Sequence, residues 1–207
     1  MSTLIFDFDG TLADSFELVV EVAHELTGVR MRTPEEIAEL RRLPLLTAIH
    51  RMGVSWWMVP RLWAIFRKRM YSRMHEVKPF PGVPTLLSDL HKEGHHLLVM
   101  SSNREQNVRA CLRAHNLEHY FGGVYHGSVF NKARALRLIL RRNKQLPETA
   151  YYIGNEILDV AAAHKVGMQA IAVTWGGNDR EALELAKPDL LADKPQAIRE
   201  LFVDGTV

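Results

Sequence analysis

The sequence predicts an α/β protein: a doubly wound parallel sheet, Rossmann-like in its core, carrying one inserted all-helical cap. Three observations lead there. A short apolar run near the N-terminus ends in acids. After Pro79, short apolar runs alternate with segments of helical periodicity, the pattern of strands joined by crossover helices. Between these two regions the chain shows helical patterns only. The 207 residues suit one compact core plus a modest insert.

Taken in order, Thr3 to Phe8 is a short apolar run that reads as a buried parallel strand. From about Ser15 to Val29 the apolar residues follow helical spacing. Thr33-Pro34-Glu35-Glu36 combines a capping-box pattern with proline in the first turn and marks a helix start. Helical patterns continue to Met74, and Trp63, Phe66 and Met70 form a stripe expected to be the core of a small bundle. The chain turns at Pro79-Phe80-Pro81-Gly82. Strands are then predicted at His96–Met100, Gly123–Tyr125, Ala150–Ile153, Met168–Val173 and Leu190–Leu191. Helices are predicted near Val83–Glu93, Glu105–Asn116, Lys132–Asn143, Ile157–Val166, Asp179–Ala186 and Pro195–Phe202. Residues 1–15 and 80–207 are the expected core, and 16–79 the expected cap.

The formal net charge is +2 with ten histidines counted neutral. That mild basicity suits an acidic small molecule and lacks the concentrated basic stripe of a nucleic-acid binder. Arg61, Arg67, Lys68, Arg69 and Arg73 read as a solvated helix face. A single cysteine, Cys111, precludes an internal disulfide, reads as a small core residue, and points to a reducing, cytoplasmic setting. Met-Ser-Thr leads straight into the first strand with no signal-peptide pattern. The most apolar long window, Leu45 to Phe66, holds His50, Arg51, Pro60 and Arg61, so no membrane span is expected. Neither a GxGxxG fingerprint nor a P-loop occurs.

Four clusters carry chemistry. In Asp7-Phe8-Asp9-Gly10-Thr11, strand alternation lets Asp7 and Asp9 point the same way beyond the strand's carboxyl end, where ligands bind in open α/β sheets. Two carboxylates so close call for a cation. Gly10 permits a sharp turn, and Thr11 can bond the loop. Ser101-Ser102-Asn103 ends another strand and forms a phosphate cradle of hydroxyls and amides. Lys132, at a helix start, is placed to neutralise charge during a transfer. Gly154-Asn155-Glu156-Ile157-Leu158-Asp159 ends a strand, and Asn155, Glu156 and Asp159 are oxygen donors suited to magnesium.

These elements, in this order, resemble the haloacid dehalogenase superfamily, in particular its phosphoglycolate-phosphatase-like branch. Asp-x-Asp-Gly-Thr at the end of an N-terminal strand is the most specific of them. Pro79-Phe80-Pro81-Gly82-Val83, followed by Leu86 and Leu90, looks like the family's return to its core, and the insert sits where that family places its cap, a resemblance that implies Arg41 and Arg42 lie nearer a substrate. The resemblance implies a phosphatase acting on a small phosphomonoester, phosphoglycolate or a compound like it, with Asp7 as nucleophile and Asp9 as acid and base. It implies that Ser101 holds phosphoryl oxygens, with Thr11 and Ser102 beside it as candidate substrate-binding residues, and that Lys132 stabilises charge. It also implies Mg2+ held by Asp7, the Asp9 carbonyl and the acidic motif of Asn155, Glu156 and Asp159. Asn155 departs from the family pattern, which has aspartate there. The alternative function is a weak or inactive relative that binds a phosphorylated ligand or a protein partner; a dehalogenase ranks third. The expected partner is a phosphorylated small molecule, not nucleic acid or membrane, with the chain a monomer or homodimer.

Overall fold

The computed structural model describes residues 1–15, 45–51, 53–71, 73–128 and 131–205, with Leu18, Glu21, Val22, His24, Glu25, Gly28, Glu36, Glu39, Arg42 and Leu43 between them. The strands are β1 (Thr3–Phe6), β2 (Ala13–Asp14), β3 (Lys78–Pro79), β4 (His96–Ser101), β5 (Gly123–His126), β6 (Ala150–Gly154), β7 (Gln169–Val173) and β8 (Leu190–Ala192). The helices are α1 (Leu45–Arg51), α2 (Val59–Tyr71), α3 (Val83–Lys92), α4 (Glu105–Ala114), α5 (Lys132–Arg142), α6 (Ile157–His164), α7 (Arg180–Leu185) and α8 (Pro195–Phe202).

Six strands form one parallel sheet in the order β5-β4-β1-β6-β7-β8. β1 lies centrally: Phe6 is in register with Val99 of β4 and Ile153 of β6. The chain builds outward from β1 to β4 and β5, then returns to β6 on β1's other side. The sheet therefore reverses direction at β1, which places a crevice at the carboxyl ends of β1, β4 and β6.

Both faces of the sheet are covered, so its strands are apolar on both sides rather than alternating. Leu4, Phe6, Leu97, Val99, Ile153 and Ile171 pack with α3, α4 and α8 through Leu87, Leu90, Val108, Cys111 and Ile198. Ile5, Leu98, Met100, Tyr152 and Ala172 pack on the other face with α5, α6 and α7 through Leu136, Leu140, Val160, Ala163 and Leu183. Cys111 is buried as expected; burial pushes its thiol up to about 12, which keeps it uncharged and unreactive.

The core strands and helices after Pro79 fall within a few residues of their predicted limits. The first strand stops at Phe6 rather than Phe8. The Phe8 carbonyl accepts N–H bonds from Thr11 (3.2 Å), Leu12 (3.0 Å) and Ala13 (3.0 Å), curling the chain away from the sheet. Gly10 takes φ 79° in that curl.

Between 16 and 77, the described residues are helical wherever they belong to a regular element: α1, a short 3₁₀ turn at Trp56–Met58, and α2. The helix start at Thr33-Pro34-Glu35 and the side chains of Trp63, Phe66 and Met70 lie outside the described residues. An additional ribbon appears that the apolar patterns do not reveal: β2 and β3 pair antiparallel, Ala13 with Pro79 and Asp14 with Lys78. The chain thus departs from and rejoins the core at adjacent points. Leu18, Val22, Met74 and Val77 belong to the same apolar cluster as α3 and α4. Arg69 and Arg73 form exposed ion pairs with Glu25 and Glu21, in keeping with a solvated face. Among the described residues, no helix is long and apolar enough to cross a membrane.

Candidate active site

The carboxyl ends of β1, β4 and β6 each deliver one predicted cluster to the crevice. Asp7 follows β1 directly, and its N–H still donates to the Ile153 carbonyl of β6 at 2.8 Å, so its backbone is held by the sheet. Its carboxylate is fixed at both oxygens. Oδ1 accepts from the Phe8 N–H (2.8 Å), and Oδ2 lies 3.2 Å from the Lys132 ammonium. Lys132 is the first residue of α5, whose start is capped by the Asn131 side chain accepting from Arg134 N–H.

Lys132 is 6 % exposed and donates to three carboxylates: Asp7, Glu156 (2.9 Å) and Asp159 (2.6 Å). Burial alone would lower its pKa; Asp159, Asp7 and Glu156 outweigh that and hold it well above the ordinary lysine value. One ammonium faces three carboxyl groups, so the cluster is short of positive charge. Burial pushes the Asp7 pKa well above the usual carboxylate range against the pull of Lys132, and Asp159 and Glu156 add to the rise.

Glu156 and Asp159, expected at a cation, also serve the helix. Glu156 caps α6, and the two side chains form a reciprocal capping box, with Glu156 N–H donating to Asp159 Oδ2 (3.0 Å). This closes the first turn of α6 and aims Asp159 Oδ1 at Lys132.

Asp9 is held by other partners. Its carboxylate accepts from Ser15 Oγ (2.8 Å) and from Asn103 Nδ2 (3.4 Å). Desolvation raises its pKa, opposed by those two hydrogen bonds. Both carboxyls thus stand above the usual carboxylate range, Asp7 the more strongly, and they differ in their partners: a lysine for Asp7, a hydroxyl and an amide for Asp9.

Ser101 ends β4, is buried, and accepts from Asn103 N–H at its Oγ (3.0 Å). Ser102 follows, half-buried. Asn103 is the residue in this cluster whose role the sequence leaves unassigned. Its Oδ1 accepts from Arg104 N–H and Asn107 Nδ2, its carbonyl meets His126 Nδ1, and its amide reaches Asp9. It ties the β4 end to the Asp9 loop.

Asn155 follows β6 directly and is 3 % exposed. Its amide satisfies all its neighbours in one orientation. The nitrogen donates to Thr11 Oγ1 (3.0 Å) and the Asp9 carbonyl (3.1 Å), and the oxygen accepts from Gly177 N–H (2.8 Å). Thr11, expected at the substrate, is thus buried with its hydroxyl against Asn155 and its carbonyl against Trp175 Nε1. The loop after β7, Trp175-Gly176-Gly177-Asn178, is a site component missed in the sequence. Its paired glycines were the available signal: a Cβ on Gly176 would sit 2.2 Å from the Gly10 carbonyl oxygen, so glycine is required for that approach. Asn178 Oδ1 accepts from Ile157 N–H, and its Nδ2 donates to the Leu43 carbonyl in the insert. Arg42, expected near a substrate, pairs instead with Asp179 and Glu181; Arg41 lies outside the described residues.

A hard cation takes oxygen donors. The Asp7 carboxylate, the Asp9 carbonyl and the Asn155 amide oxygen supply them. The Asn155 amide atom nearest the Asp9 carbonyl is 3.1 Å from it, close to the ~3 Å edge of an octahedron with ~2.1 Å bonds. These donors fit magnesium when the amide presents its oxygen there.

The crevice at a strand-order reversal thus gathers a buried carboxyl backed by lysine and a second carboxyl on the adjoining loop. Residues 4–173 match the model of the haloacid dehalogenase-like hydrolases, and the chain belongs to that family. It is 37% identical to a phosphoglycolate phosphatase of Synechococcus elongatus over 98% of this chain and 99% of that one. It is 30% identical to the tyrosine-protein kinase PtkA of Mycobacterium tuberculosis, over 84% of this chain and 62% of that one. A haloacid dehalogenase-like family hydrolase from Streptococcus pneumoniae shares the fold with a TM-score of 0.81 at 24% identity, covering 98% of both chains.

Proposed function

We propose that this chain is a phosphatase that hydrolyses a small phosphomonoester, phosphoglycolate or a compound like it, through an aspartyl-phosphate on Asp7 with Mg2+ as cofactor. The observation that carries the reading is the pairing of two carboxyls with unlike partners: Asp7, fixed by Phe8 N–H and Lys132, and Asp9, on the adjoining loop, held by Ser15 and Asn103. The near-full-length likeness to a phosphoglycolate phosphatase supports the substrate class.

In the first step an Asp7 oxygen attacks phosphorus, the bond to the ester oxygen breaks, and Asp9 gives its proton to the departing alkoxide. In the second, water attacks the same phosphorus, Asp9 takes the water's proton, and the Asp7 carboxylate is released. Lys132 stays charged throughout and offsets the anionic phosphoryl oxygens, which Ser101 and Ser102 would bind. Asp7, the Asp9 carbonyl and Asn155 would hold magnesium, which supplies the positive charge that one lysine among three carboxylates lacks. The expected cap, residues 16–79, would cover the bound substrate and exclude water. The single buried cysteine supports a reducing compartment such as the cytoplasm.

The test is phosphate release from a panel of phosphorylated metabolites that includes phosphoglycolate, with and without magnesium. Asp7→Asn is expected to abolish release while leaving the circular dichroism unchanged, because an amide does not attack phosphorus. Near wild-type release by that variant would end the covalent reading. The orientation of Asn155 favours one second reading, a catalytically weak relative that binds phosphorylated ligands; it predicts ligand binding without turnover in the same panel.

A further inference from the structure

Asn155 occupies a cage. A Cβ on Gly10 would lie 2.4 Å from its amide, one on Gly176 would lie 2.5 Å from its Cβ, and one on Gly177 would lie 2.9 Å from its amide. The glycines of two loops are what leave space for this side chain. A half-turn of the terminal amide exchanges nitrogen and oxygen within nearly the same envelope.

The two orientations differ in chemistry. With nitrogen toward Asp9, the amide donates to Thr11 Oγ1 and the Asp9 carbonyl, and its oxygen accepts from Gly177 N–H at 2.8 Å. With oxygen toward Asp9, it accepts from Thr11 Oγ1 at 3.0 Å. Two oxygens with no proton between them then face each other at 3.1 Å, and the amide NH2 confronts the Gly177 N–H at 2.8 Å, donor against donor. The first orientation satisfies every partner; the second becomes favourable only with a cation between the two oxygens. An aspartate in the same cage escapes this conflict, since one oxygen accepts from Gly177 while the other meets the cation.

We propose that Asn155 is a two-faced positioning residue whose amide inverts when magnesium binds, giving up its bond from Gly177 N–H. The inference rests on the magnesium-phosphatase reading above. It assigns the Gly176–Gly177 turn as the element that senses metal occupancy, because the turn loses this acceptor whenever the ion is held. Asn178, next in the turn, bonds the Asn155 main-chain carbonyl through its N–H and the Leu43 carbonyl of the insert through its side chain.

The experiment is a titration of the full chain, ¹⁵N-labelled, with magnesium chloride alone, followed by NMR. In the wild type, the Gly177 backbone amide is expected to move upfield and exchange faster with solvent as magnesium saturates, while the Asn155 side-chain NH2 pair shifts in step. Asn155→Asp is expected to bind magnesium more tightly, because it adds a charged ligand, with its Gly177 signal nearly unmoved. A silent Gly177 in wild type that binds magnesium overturns the inversion, and so does wild type that shows no magnesium response. Equal magnesium affinity in the two proteins overturns it also. Should Asn155→Asp fail to fold, the wild-type titration alone decides. Phosphatase activity is measured separately: a responsive Gly177 without hydrolysis of any phosphomonoester sinks the phosphatase reading alone, and magnesium-dependent hydrolysis with a silent Gly177 sinks the inversion alone.

Discussion

Asp9 sets stability and activity against each other. Its folded pKa is raised by desolvation, so the ionised form costs folding free energy at neutral pH. The folded state binds more protons than the unfolded one in the window above the ordinary carboxylate pKa of about 4, and stability falls as pH rises through it. Asp9→Asn removes that charge and keeps partners for Ser15, whose hydroxyl can accept as well as donate, and for Asn103. The variant is expected to lose roughly 10²–10⁴-fold in turnover yet melt at a higher temperature than wild type at pH 7. Its advantage should shrink as pH falls toward the carboxylate range. Thermal melts across pH, beside rate measurements, check both halves; a lower melting temperature at pH 7 would contradict the energetic account. Asn103 and Ser15, which hold this carboxylate, were visible in the sequence only as residues of a serine-rich strand end and a helix start. Their partner lies 94 and 6 residues away respectively, and side-chain pairing at the longer range leaves no local pattern.

At the scale of elements, legibility follows the packing. β1, β4, β6 and β7 are buried on both faces, which makes them continuous apolar runs, and the helices between them carry one apolar face each. Strand ends are read well because carboxylates, hydroxyls and glycines interrupt those runs where function begins. The β2–β3 ribbon escaped because two residues per strand provide no period, and Pro79 within it reads as a turn. The Trp175–Asn178 loop escaped because its targets, Thr11, Asn155 and Ile157, lie in two distant segments. Asn178 is the loop's main tie, bonding the first amide of α6 on one side and the insert at Leu43 on the other. Asn178→Ala leaves both groups short of a partner and is expected to cost about 1–3 kcal/mol, with faster hydrogen exchange at Ile157. Arg42→Ala, which removes only exposed ion pairs, is expected to cost no more than about 1 kcal/mol. Denaturant unfolding of the two variants compares these costs, and equal losses would refute the assignment of Asn178 as the stronger tie.

Across the whole molecule, Lys132 connects β1, α5 and the start of α6 by three charge-assisted bonds. Lys132→Met keeps the apolar stem but strands three carboxyls in a buried site. The expected loss at pH 7 is about 3–5 kcal/mol, narrowing as the pH is lowered and the carboxyls take up protons; urea titrations at pH 7 and pH 5 measure it, and a pH-independent loss would show that packing rather than charge is responsible. The ribbon that joins insert and core has a different consequence. Since Ala13 and Pro79 lie side by side, the intervening chain is a side branch on an otherwise continuous trunk. The entropy of closing such a branch grows only with the logarithm of its length, by about 0.6 kcal/mol for each doubling. Leu18, Val22, Met74 and Val77 root the branch in the trunk. Chain entropy alone therefore sets little penalty on a longer or shorter branch, the larger cost of splicing lying in ties such as Leu43 to Asn178, so one hydrolytic trunk can bear crowns of many sizes.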